Sequence, residues 1–418
     1  MKILIISLIF PLLLTTVAEA ANSDSVKRLL ETRECENCDL VNANLKGFYL
    51  RGANLRGANL KGANLNGADL GGAFLVKANL TDADLRNANL ENANLQDAKL
   101  EGVRWNNTIV SDRTVISSKW RLVMQVVNQG VRQDLQEADL KGANFNGVDL
   151  RNVNLAGANL EKATLEDALL SGANFNQTNL QKTSFFISDL RNASFSEANL
   201  KEGSLIAADL HGANLTQTNL SRANLSNAYL GGANLQDSNL NSANLARAYL
   251  TNANLSRAKL QRTNLFTADL RGANLDSVDL SSANLRGADV SDTVVKNGNL
   301  RALKLEGANL QQMKLSGADL SGLNLKNVDF NGSDLRNTNL SGANLSGANL
   351  KGVNLSGANL VQANLSGAEL SQANLSKANL TRANLSSANL QQTILSGIKL
   401  DYANFCNATM PNGSKGKC

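Results

Sequence analysis

A large apolar residue stands at every fifth position over most of this chain, and no regular helix or strand tolerates that spacing. Leu40 to Leu100 supply thirteen in unbroken succession, and Leu135 to Phe405 supply fifty-five more, all Leu, Phe or Val. On an α-helix a step of five rotates by about 140°, so the leucines would wander around the axis and form no stripe. On a continuous strand an odd step throws alternate leucines onto opposite faces. The chain must therefore turn within every unit and bring each Leu back inside. Periodicity this strict outranks residue-by-residue propensity.

The segment Ala343-Asn344-Leu345-Ser346-Gly347-Ala348-Asn349-Leu350 shows the unit undecorated. Asn or Asp before the Leu suits a turn, because both tolerate left-handed geometry and bond their own backbone; the frequent Gly two residues after Leu suits it too. Ala at the second inward position leaves room for the leucines, and the remaining two residues face water. The fold expected is a solenoid. Composition narrows function from the other side. Aromatic residues make up 4% of the chain and His211 is its one histidine. A Ser-His-Asp triad has no spare partner to draw on, and a His-pair metal site or an HExxH zinc site is excluded.

The tandem A-[DN]-L-x-x pattern resembles the pentapeptide-repeat family and covers roughly four-fifths of the chain. That resemblance implies an all-β solenoid, a right-handed quadrilateral parallel β-helix with four units per coil of about twenty residues. The long block would then make about 14 coils and a rod of roughly 65 Å, and the short block about three coils. Phe175 and Phe195 should stack on one inner face. Tyr229 and Tyr249 are also twenty apart, but at the Asn position. The valine-rich stretch from Asp289 to Gly298, with Val290, Val294 and Val295, is the weakest part of the long block and a place for a bulge. These departures read as local repacking or as binding sites.

Residues 1–20 read as a secretory signal: Lys2, the apolar run Ile3 to Val17, then Ala18-Glu19-Ala20, with cleavage between Ala20 and Ala21. Fifteen apolar residues containing Pro11 are short for a membrane span. Removal takes Lys2 and Glu19 together, so the net charge stays at +5. Residues 21–35 are expected to form an N-terminal cap helix with Val26, Leu29 and Leu30 on one side. The short repeat block follows at 36–103, a helical insert at 104–133, the long block at 134–405 and a cap tail at 406–418. In the insert, Ser117 or Ser118 should start a helix carrying Trp120, Val123, Met124 and Val127 on one face, and Gly130 should stop it. That helix covers an interrupted face or docks a partner. The Lys119-Trp120-Arg121 and Val127-Asn128-Gln129-Gly130 segments, the Cys35-x-x-Cys38-Asp39-Leu40 start and the Phe405-Cys406 to Met410-Pro411 tail resemble exported cyanobacterial members of the family. That resemblance leaves two compartments open, the periplasm and the thylakoid lumen.

The four cysteines lie at the chain ends. Cys35 and Cys38 both fall on inward positions, and Cys406 and Cys418 bracket the tail. Pairing Cys35 with Cys38 and Cys406 with Cys418 is the one scheme that ties no distant coils together, and an exported protein can keep both bridges. A redox reading of Cys35-Glu36-Asn37-Cys38 lacks the βαβ context it needs. Lys162, Lys182, Arg222 and Arg262 share an outer column that Glu202 interrupts, which reads as a solvated face. No catalytic, cofactor or metal residue is expected. Candidate docking residues are Trp105, Trp120, Tyr229 and Tyr249. The function expected is a non-catalytic extracytoplasmic scaffold or protein-binding module, monomeric or weakly associating, with a protein partner, no nucleic acid and no membrane segment after signal removal. The alternative, also implied by the resemblance, is a DNA mimic acting on a type II topoisomerase. It requires a strongly acidic surface in place of phosphates, whereas this chain is basic.

Overall fold

A computed structural model describes residues 23–130, 134–280, 282–295 and 310–418. The signal segment and the Ala20–Ala21 cleavage site lie outside the described residues. The unit works as follows in the Leu345 region. The Leu345 N–H donates to the Asn364 carbonyl at 2.7 Å, and the Asn364 N–H donates back to the Ala343 carbonyl at 2.9 Å. Ser346 and Gly347 then form a turn, closed by the Ala348 N–H on the Leu345 carbonyl at 3.0 Å. The turn is bonded to the next coil through the Gly347 N–H and the Ser366 carbonyl. Repetition of this scheme pairs each residue before an inner Leu, in parallel, with the residue twenty positions on: Asn344 with Asn364, Asn349 with Glu369, Asn354 with Asn374, Asn359 with Asn379. Each coil therefore carries four pairing positions. The result is a parallel β-solenoid, with the Leu and Ala of nearly all described units lining its interior at or near zero exposure.

The left-handed residue of the unit is not the Asn before Leu. It is the second turn residue, where glycines such as Gly347 (φ 66°) alternate with Asn, Lys, Arg, Gln and others at φ near 60°. The Asn before Leu is extended and paired, and its side chain makes the turn bond: Asn344 Oδ1 accepts the Ser346 N–H at 3.2 Å. A positive φ is ordinary for Gly and costs other L-residues about 1–2 kcal/mol. Among the described residues, only Ile187 (φ 53°) and Thr267 (φ 52°) are β-branched at this position.

The chain divides into two compact units, Met1–Asp134 with Ala138–Leu150 and Asn159–Leu165, and Leu135–Glu137 with Arg151–Ala158 and Glu166–Cys418. In the first, helix α1 (Ser23–Thr32) buries Leu29 and half-buries Val26 and Leu30. Cys35 and Cys38 are joined directly after it. The repeat does not stop at residue 103. Arg104, Ile109 and Val115 pair with Asp84, Asn89 and Asn94, so the last coil before the insert extends twelve residues further. The Asn94–Val115 step is 21 residues rather than twenty, and this slip ends the register. Helix α2 (Ser118–Gln129) follows and is stopped by Gly130 at φ 72°. Its buried face is Trp120, Val123, Met124 and Val126, while Val127 is only half-buried. The helix is fastened by Arg121 Nη2 to the Thr114 carbonyl (2.7 Å) and by Asn128 Oδ1, which accepts the Asn107 N–H. Pairing resumes forty residues on, where the Gly102 N–H donates to the Gly142 carbonyl at 2.8 Å.

In the second unit the rings of Phe175 and Phe195 stack at 4.8 Å and 5°, with Phe185 edge-on to both. The valine-rich stretch is regular through Val295. Asp289 pairs with Asp269, and Val294 pairs with both Asn274 and Lys314, so no bulge interrupts 289–295; residues 296–298 lie outside the described residues. Cys406 is joined to Cys418, and the tail returns along the last coil through an antiparallel pairing of Thr409 with Lys415.

Inward and outward positions should differ sharply under mutation. Leu345→Arg places an unpaired charge among fully buried residues and is expected to abolish cooperative unfolding. Ser346→Arg should change stability by about 0.5 kcal/mol or less. Denaturant titration of both variants checks the pair, and similar behaviour would refute the assignment. The turn makes its own prediction. A Cβ at Gly342 meets nothing within 4 Å, so Gly342→Val tests strain alone and should cost about 1–2 kcal/mol, while Ile187→Gly should return a similar amount. Thermal unfolding of the two variants measures both.

Candidate docking surface on the solenoid wall

At the position before each inner Leu the outward side chain is most often an Asn, and many of these amides are bonded to one another along the wall. Asn244, Asn264 and Asn284 each donate their side-chain amide to the Asn twenty residues earlier, at 3.1, 2.9 and 3.0 Å. The same ladder runs through Asn344, Asn364, Asn384 and Asn404. Each amide thus makes a turn bond within its own unit and a rung to its neighbour. This leaves little freedom for the side chain.

One row departs from this pattern. It runs Leu169, Asp189, Asp209, Tyr229, Tyr249, Asp269, Asp289, each paired with the next. Tyr229 and Tyr249 stack at 5.0 Å with their planes 3° apart, and both rings are exposed. His211 stacks on the other side of Tyr229 at 6.2 Å, and its Nδ1 hydrogen-bonds Asp209 at 2.7 Å. Gly231 makes room for this ring, since a Cβ there would strike His211.

Two of the four acidic residues of this row, Asp189 and Asp269, are tied to arginines two positions on, whereas Asp209 bonds His211 and Asp289 bonds Ser291. Arg191 forks onto Asp189 at 2.8 and 2.7 Å, and Arg271 onto Asp269 at 2.8 and 2.6 Å. Arg336 does the same to Asp334 in another row. These forks hold all three carboxyls below the usual carboxylate range, against the opposing effect of burial. The outer column of Lys182 and Arg222 is likewise bridged, with Glu202 3.5 and 3.7 Å from them. Lys162 lies 3.8 Å from Glu161.

Of the candidate docking residues, Tyr229 and Tyr249 meet on the wall, and the two tryptophans do not serve. Trp105 is 0% and Trp120 is 6% exposed. Trp105 occupies an inner position of the coil that ends at Val115, and its indole Nε1 is buried with no hydrogen-bond partner. Trp120 faces inward from α2, with Lys119 Nζ 4.9 Å from its ring centroid. Sequence reasoning placed Trp105 in the insert although its number is a multiple of five, the signal that fits it to the repeat. Sequence reasoning also missed the exposed apolar turn residues Phe186, Ile187 and Phe266. Their signal was apolar character at the two water-facing positions of the unit. Among the described residues, no group of three His, Cys, Asp or Glu side chains is placed to hold a metal ion, and no helix is long and apolar enough to cross a membrane.

Parallel coils built from five-residue units with inward Leu and Ala define a β-helical repeat protein. The chain belongs to the pentapeptide repeat family, whose eight-copy repeat profile matches residues 34–102, 134–301 and 303–397 in overlapping stretches, and the family's fold is a right-handed β-helix. Among solved structures, HetL, a pentapeptide repeat protein involved in heterocyst differentiation regulation from the cyanobacterium Nostoc sp. strain PCC 7120, is 32% identical, with 65% of this chain and 91% of that chain covered and a TM-score of 0.24. A pentapeptide repeat protein from the Arabidopsis thaliana thylakoid lumen is 42% identical over 23% of this chain and 67% of that one, with a TM-score of 0.23. The plasmid-mediated fluoroquinolone resistance protein QnrB1 is 17% identical over 44% of this chain and 90% of that one, with a TM-score of 0.19. No curated protein matches the chain.

The carboxylate forks predict an acid response whose sign is fixed. Each folded pKa lies below the unfolded value of about 3.9, so the unfolded chain binds the proton more tightly. The stabilisation is complete above that value and is lost as pH falls through the folded pKa. The triple variant Asp189→Asn, Asp269→Asn, Asp334→Asn should therefore show a shallower fall in melting temperature between about pH 5 and pH 2 than the parent. An equal slope would show that the forks contribute nothing.

Proposed function

We propose that this chain is a non-catalytic extracytoplasmic scaffold, a four-sided β-helix that holds protein partners against a rigid wall. The observation that carries this reading is the fixing of outward polar side chains into the wall itself, through amide rungs such as Asn264 to Asn244 and forks such as Arg271 to Asp269. Groups held in this way present a regular, pre-ordered surface and are not free to exchange protons with a substrate. The family is generally structural or protein-binding rather than catalytic, which agrees with the reading. Four pairing positions per coil support a four-sided cross-section. Export is supported by the leader-like residues 1–20 and by the four cysteines, which we propose are all bridged in the mature protein. The DNA-mimic alternative is not adopted, because a net charge of +5 and rows of neutral amides do not imitate a phosphate array.

Fractionation of the native source followed by N-terminal sequencing tests the proposal. The expected product begins at Ala21, lies outside the cytoplasm and yields no free thiol on titration after unfolding without reductant. A cytoplasmic chain beginning at Met1, or four free thiols, would defeat it.

A further inference from the structure

The exposed large apolar side chains of the second unit are not scattered. Apart from three in its last coil (Ile394, Leu400 and Tyr402), all of those described lie on one seam. The seam is the Leu169–Asp289 row together with the corner that precedes it. That corner is continuous, because Asp167, Ile187, Ala207, Asn227, Arg247 and Thr267 each donate their N–H to the corner of the next coil. Phe186 and Phe266 are 42% and 41% exposed there, each followed by a β-branched residue held at positive φ. Side chains that are both strained and poorly hydrated persist where something else stabilises them.

We propose that this seam is the contact between two copies of the chain, lying side by side and antiparallel about a two-fold axis at the coil of Ser226 and Tyr229. An isologous contact requires each residue i facing j to be matched by j facing i. The seam meets that requirement. The pairs Phe186–Ile187 and Phe266–Thr267 each lie two coils from Ser226 in the corner stack, roughly 10 Å to either side. With the axis along the strand direction, corner meets corner, and the Phe186 pair of each copy faces the Phe266 pair of the other. Ile206 faces Ala246 and the aliphatic stem of Arg247, Tyr229 faces its own copy, and the Tyr249 hydroxyl comes opposite the other copy's Asp209. A two-fold along the solenoid would instead set Phe186 against Arg191, so the seam favours the first arrangement. Charge agrees with it. Asp189 and Asp269 are neutralised within the wall by Arg191 and Arg271, so two copies meet without net repulsion, and a polyanion or polycation finds no complement. The contact is one corner and one row wide, which places it among weak associations.

Sedimentation equilibrium of the mature protein over a concentration series tests the proposal. The weight-average mass is expected to rise toward two chains. Phe186→Ser and Phe266→Ser should each weaken association about tenfold while leaving circular dichroism unchanged. Ser226→Cys, on the axis, should form a covalent dimer on oxidation, and Ser386→Cys, in the same corner column eight coils away, should not. A mass of one chain at every concentration would overturn the proposal and leave the seam to a different protein. Association abolished by Leu400→Lys but untouched by the phenylalanine changes would also overturn it, in favour of contact through the last coil. Equal crosslinking of Ser226→Cys and Ser386→Cys would show collision rather than a seated dimer.

Discussion

Every coil of this protein depends on its neighbour for its backbone hydrogen bonds. A unit of five residues is too short to pair with itself, so its inner Leu gives its N–H to the coil above and its Ala gives its carbonyl to the same coil, as Leu345 and Ala343 do with Asn364. Unpaired backbone groups are costly away from water, which makes each coil a requirement of the next and stability a sum over neighbours. The terminal elements follow from the same need. In the first unit helix α1 precedes the first coil and buries Leu29, in the second the tail pairs Thr409 with Lys415 beside the last coil, and a cysteine pair adjoins each.

The repeat divides labour between its two faces. Inside, small and large residues alternate as Ala and Leu, and larger rings take Leu positions, as Phe175, Phe185 and Phe195 do in contact with one another. Outside, amides and ion pairs are bonded along the wall. What varies freely is the pair of turn residues, and there the second must accept a left-handed backbone. The wall is thus a fixed lattice on which a few positions carry individual chemistry, which suits a protein that positions others.

The period of five was enough to read the interior, because inward position and burial coincide at nearly every Leu and Ala. The chemistry of Asn discloses half of its role. Its turn bond is legible from its chemistry, but the left-handed position belongs to the residue three further on, where residues other than Gly, with Asn, Lys, Arg and Gln among them, outnumber Gly and advertise nothing. The neighbours of Trp105 break the A-[DN]-L pattern and hide its place in the repeat, although it remains in frame and fills the core. Val126 replaced Val127 on the buried face of α2, since the path of a helix over a surface is set by its attachments, here Arg121 and Asn128. The seam was invisible to a period of five. It emerges only when outward residues are sorted by a period of twenty, and then by which of them solvent reaches.

The Tyr229–Tyr249 stack exists because those residues are one full coil apart. Apart from ring stacks such as Phe175 on Phe195, the interior does not share that dependence, since most described units present an equivalent Leu and Ala on every side. Loss or gain of a single pentapeptide would therefore leave the core closed and every coil paired. It would also carry all downstream surface rows onto the adjacent side, like a barber's pole cut and rejoined out of phase. The core counts in fives and the surface counts in twenties. Insertions and deletions that the fold cannot sense would still dismantle any pattern written along a wall, and changes of a whole coil would lengthen that pattern without breaking it.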